Sequence, residues 1–116
     1  MITKKKVIIP IFDYHMKILI YDDKEELRGY IEDSYLKEYF RGITIGYPFE
    51  CIVAIDAKHG STIAHEALHI VNGVWKSIGY QPQRDNDEVS AYLLTYIYNK
   101  ITDVWYKHKE NKTVSN

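Results

Sequence analysis

Cysteine is almost absent. Cys51 stands alone, so no disulfide staples the chain and its stability must come from packing. A lone thiol fits a reducing compartment, and a cytoplasmic location is expected. Long apolar runs are also missing: no stretch approaches the roughly 20 apolar residues of a bilayer span. The opening run from Met1 to Phe12, with its Lys4-Lys5-Lys6 cluster, imitates a signal peptide. Asp13, His15 and Lys17 then interrupt the apolar stretch, and no small-residue cleavage site follows. Charge of one sign is not in excess either. The formal net charge of −1 gives no general attraction for nucleic acid or an anionic membrane, and neither is expected as a partner. Internal repeats are absent, and the only low-complexity candidate is the polar tail over 107–116, expected to fray.

What is present is an ordinary globular composition in 116 residues, enough for one compact domain and one core. Residues 7–12 and 16–21 are rich in isoleucine and valine and are divided by Asp13-Tyr14-His15, which predicts a β-hairpin. From Asp23 to about Phe40, Leu27, Tyr30, Ile31, Tyr35, Leu36 and Tyr39 recur at spacings of three and four. That stripe predicts a helix ended by Arg41-Gly42. Residues 43–47 and 50–56 again read as strands. Gly60 and Ser61 open a second helix with Ser61 as N-cap, an apolar face from Ile63 to Ile78, and Gly79 as its stop. After a polar loop from Tyr80 to Asn86, a last helix runs from about Asp87 to Tyr106. The order β-β-α-β-β-α-α predicts an α+β fold, a short, mostly antiparallel sheet with three helices.

His65-Glu66-Ala67-Leu68-His69 is the chemically informative stretch. Histidines four apart on a helix lie one turn from each other on nearly the same face. Their ring nitrogens can therefore reach one tetrahedral ion at roughly 2.0–2.1 Å. Glu66 sits about 100° around the helix, beside such an ion rather than on it, where it can take a proton from a metal-bound water. A catalytic zinc keeps three protein ligands and one open position. Candidates for the third ligand lie in Asp85-Asn86-Asp87-Glu88. An antiparallel return of the last helix would, however, bring its first turn near Trp75, so the helices would have to cross at an angle or kink. The bland alternative for the histidines is hydrogen-bonded packing; for the acidic cluster it is a favourable helix N-terminus.

The stretch from Ile63 to Val71 resembles the active-site helix of the zincins, the metallopeptidases built on HExxH. Asp87-Glu88-Val89-Ser90-Ala91-Tyr92 is similar to the glutamate helix of the gluzincins within that group. More closely, the span from Ser61 to Ile101 resembles small HExxH proteins of phages and mobile elements, which pair an "AHEALH" run with a later "E-x-x-A-Y-L". The resemblance covers about a third of the chain. It implies a small zincin-like domain with Zn²⁺ at His65, His69 and Glu88, Glu66 as general base, and a peptide or protein substrate. It departs at Tyr92, where many large gluzincins carry an aspartate that orients a metal histidine. Alternatives in other classes are a non-catalytic zinc-binding protein and a phage or mobile-element interaction protein whose tyrosine-rich helices form an interface.

Weaker candidates remain. Tyr92, one turn beyond Glu88, is either an oxyanion donor or a packing residue. Cys51 is either a ligand, as in the peptide deformylases, or a small buried strand residue; the deformylase motif around their cysteine is absent here. His59 precedes the active helix and is either a substrate contact or solvated. His15 and His108 carry no spacing signal. Glu66-x-x-His69 is half of a di-iron signature, but no second half exists. Residues 51–56 are either an edge strand, open to an extended peptide, or a central one.

Overall fold

A computed structural model describes residues 1–83, 85 and 87–115, with side chains through Lys112. Arg84 and Asn86 of the polar loop lie outside the described residues, so Asn86 as a ligand candidate does too. The architecture is α+β. Strands β1 (Ile2–Ile9), β2 (Tyr14–Tyr21), β3 (Gly42–Tyr47) and β4 (Glu50–Asp56) form one sheet in the order β1-β2-β4-β3. β1 pairs antiparallel with β2, and β3 antiparallel with β4. β2 and β4 run parallel, joined by the crossover from Asp22 to Phe49. Residues 51–56 are therefore central, and the strand left at the edge beside them is β3.

Alternation along the strands sends side chains to two faces. Met16, Ile18, Ile20, Cys51, Val53 and Ile55 face two helices, where they meet Ala67, Ile70, Val74, Ile97 and Ile101. Leu19, Tyr21, Ile45 and Ala54 point to the other face, under Leu27, Ile31 and Leu36. That second cover corrects the long helix expected over 23–40. Asp23 and Glu26 close a capping box on a single 3₁₀ turn, Lys24–Leu27. Gly29 then takes φ +91°, which a continuing α-helix forbids. Only α1 (Asp33–Leu36) is helical thereafter. The spacing of Leu27, Ile31 and Leu36 reflects an irregular segment laid on the sheet.

Helix α2 (Ile63–Ile78) and helix α3 (Glu88–Ser115) form an antiparallel pair. Trp75 Nε1 donates to Ser90 Oγ at 2.7 Å near one end, and Trp105 Nε1 donates to the Ala57 carbonyl at 3.0 Å near the other. Gly79 stops α2 in the left-handed conformation, φ +75°, as expected. Ser61 is not the N-cap. Gly60–Thr62 is already a 3₁₀ turn and Thr62 takes the cap position of α2; Gly60 lies against the Trp105 ring, where a Cβ would approach to 2.8 Å. Residues 107–115 belong to α3. His108, fully buried, bridges Thr3 Oγ1 (2.8 Å from Nδ1) and Asp22 Oδ1 (3.0 Å from Nε2). Among the described residues no helix is long and apolar enough to cross a membrane.

Candidate metal centre

Helix α2 lies over β4 and β3, and α3 lies over β1 and β2. The flank of α2 that faces β3 carries His65, His69 and Gly73 at successive turns. Opposite them β3 turns Gly42, Thr44 and Gly46 toward the helix, the alternate positions paired with Ile55, Val53 and Cys51. The small residues Gly42, Thr44 and Gly46 on β3, with Gly73 on α2, leave an open cleft of about 410 Å³.

The two histidines meet at its mouth. His65 Nε2 and His69 Nε2 are 3.1 Å apart, with ring centroids at 4.8 Å. Two nitrogens bound to one tetrahedral zinc at 2.0–2.1 Å are separated by about 3.3 Å, so the pair fits such an ion with little adjustment. Their side chains are open to solvent, that of His65 by 69%.

Glu66 sits deeper in the cleft. It is 4% exposed, yet its Oε2 is 4.0 Å from His65 Nε2. A buried carboxylate is costly unless hydrogen-bonded. Thr44 Oγ1 donates to Glu66 Oε1 at 2.8 Å, and Thr62 Oγ1 reaches Oε2 at 3.5 Å. Gly42 makes the room, since a Cβ there would fall 3.2 Å from Glu66 Cγ and 2.8 Å from Thr62 Cγ2.

Tyr14 forms the far wall. It is 1% exposed, and its hydroxyl lies where a Cβ on Gly73 would come within 2.9 Å. It donates to the Glu50 carbonyl at 3.2 Å, a long bond for a hydroxyl. Burial pushes the phenol's pKa well up, so Tyr14 keeps the proton that it gives to the Glu50 carbonyl.

The third ligand implied by the zincin resemblance is not brought to the pair. Glu88 is exposed in the first turn of α3, two residues before Ser90, which is bonded to Trp75. Trp75 is already about 9 Å along α2 from His69 at 1.5 Å per residue. α3 also covers the β1–β2 side of the sheet, away from the flank on which the histidines lie. Among the described residues no three His, Cys, Asp or Glu side chains gather closely enough to hold an ion. Tyr92 is likewise elsewhere: 73% exposed, it borders a surface groove of about 360 Å³ with Pro10, Ile11, Trp75 and Val89. Cys51 is the buried strand residue, its thiol pushed up to about 12 by burial and so no thiolate at neutral pH.

Sequence reasoning missed Thr44, Thr62, Tyr14, Gly42 and Gly73. Two signals pointed toward them: the small-residue alternation Gly42-Ile-Thr-Ile-Gly46, and Gly73 continuing the His65–His69 stripe by one turn. No protein-family model, curated protein or solved structure matches the chain.

Proposed function

We propose that this protein is a zinc-dependent hydrolase of peptide or other amide bonds, with His65 and His69 as metal ligands and Glu66 as general base. The observation that carries this reading is the placement of Glu66. A carboxylate shielded from bulk water, held by Thr44, opens onto the same cleft as two imidazole nitrogens at ligand spacing. Packing alone gives no reason to bury a carboxylate there.

When bound, zinc supplies Lewis acidity, bringing the pKa of a water ligand toward neutrality and polarising a carbonyl. Glu66 takes the proton of the attacking water and returns it to the leaving amine. Thr44 fixes which carboxylate oxygen faces the cleft. The Tyr14 hydroxyl lines the same cleft, with its proton engaged by the Glu50 carbonyl. The unpaired, buried thiol accords with a reducing cytoplasm as the place of work.

The test is hydrolysis of a quenched fluorescent peptide library with and without a zinc chelator. Glu66→Gln should retain zinc and lose turnover; undiminished turnover in that variant would sink the mechanism. The separation of Glu88 from the pair favours a second reading, a zinc-binding protein without hydrolytic activity. Stoichiometric zinc with no cleavage of any library member would support it.

A further inference from the structure

The cleft does not end at the histidines. A second cavity of about 400 Å³, which reaches Lys76 and Ser77, shares Tyr14, Gly46 and Gly73 with the first. The two adjoin at these residues, and together they line a groove between the edge strand β3 and α2 that passes Tyr14. Its floor is open at Gly46, where a Cβ would touch nothing within 4 Å. Its charges stand at opposite ends. Among the described residues, Glu66 is the only acid lining the histidine end and Lys76 the only lysine or arginine lining the far end. Lys76 is exposed, and no ion pair engages it among the described residues. It follows His69 by seven residues, about 10.5 Å of helix at 1.5 Å per residue. An extended peptide rises about 3.3 Å per residue, so that distance is about three residues.

We propose that this groove takes an extended acidic peptide segment, with a carboxylate about three residues from the bond presented to the histidines and Lys76 as its specificity-determining residue. The assignment rests on the hydrolase reading for the position of the scissile bond, but not for binding. β3 supplies the edge beside which such a segment lies, and the small residues on both walls supply the width. A neutral or basic segment would leave Lys76 without a counter-charge or repel it.

The experiment uses the full chain carrying Glu66→Gln, so that peptides bind uncut. Fluorescence anisotropy compares eight-residue peptides of alanine, serine and glycine that differ only by one glutamate or one lysine. The glutamate peptide should bind about five-fold more tightly, Lys76→Ala should abolish the preference, and Lys76→Glu should reverse it. Gly46→Val should weaken both peptides while leaving zinc binding intact, since it fills the groove without touching the histidines. Equal affinities in the parent, or an unaltered preference in Lys76→Glu, would overturn the assignment. Mass spectrometry of products from the wild-type zinc protein then maps the cut against the glutamate position. A binding preference without any cleavage would retain the groove and defeat the hydrolase reading. Cleavage with no dependence on glutamate position would do the reverse.

Discussion

Thr44 on strand β3 and Glu66 on helix α2 are joined by a 2.8 Å hydrogen bond from hydroxyl to carboxylate. The residues are 22 positions apart, and the bond fixes the proposed base against the sheet edge. Thr44→Val keeps the shape and removes the donor. Outer partners of this kind typically contribute 10–100-fold, so kcat/KM should fall by about that factor with zinc affinity unchanged. A steady-state assay beside a zinc titration checks both halves.

Gly42 and Gly46 should respond unequally to the same change. A methyl at Gly42 meets Thr62 Cγ2 at 2.8 Å, Ala54 O at 3.3 Å and Glu66 Cγ at 3.2 Å. Gly42→Ala should therefore cost about 1–3 kcal/mol and displace Glu66. Gly46→Ala meets nothing, and its stability should stay within about 0.5 kcal/mol of wild type. Urea denaturation of the two variants makes the comparison; equal losses would mean the cleft wall is not packed as described.

How much of this was legible follows the range of the contacts. Ile63–Ile78 reads from the sequence because its apolar stripe, its Gly79 stop and the His65–His69 pair are all local. The segment after Asp23 misleads because Leu27, Ile31 and Leu36 share a helical spacing while Gly29, at φ +91°, breaks the helix. The partners of Glu66 depend on β3 lying beside α2, and the position of Glu88 depends on which flank of α2 receives α3. Those are choices of sheet order and helix packing that no local pattern encodes.

Glu88 gives a direct contrast with the family resemblance, which implies it as a ligand. With α3 bonded through Ser90 to Trp75, Glu88→Ala should leave zinc affinity within about two-fold of wild type, as surface changes distant from a site do. Competition with a chromophoric chelator measures it. A ten-fold loss would show that the first turn of α3 joins the histidines when metal binds.

His108 and Asp22 set a pH dependence away from the cleft lining. Burial pushes the Asp22 carboxyl up, but hydrogen bonds from His108 and Lys112 outweigh it and hold the pKa down at about 2. Because the folded value lies below the unfolded one, this stabilisation is complete above about pH 4. It is lost as pH falls toward 2. It amounts to about 1 kcal/mol once screening at this partly open site is allowed for. Asp22→Asn should flatten the fall in thermal stability between pH 4 and 2; an unchanged slope would assign it to other carboxylates.

His65 and His69 are proposed to hold one metal ion between them. Isothermal titration of metal-stripped protein with zinc measures this, with wild type beside His65→Ala and His69→Ala. One zinc per chain should bind to wild type, more than about ten-fold more tightly than to either variant. Equal binding by all three, or none by wild type, would return the 3.1 Å histidine pair to ordinary hydrogen bonding and remove the basis for hydrolysis.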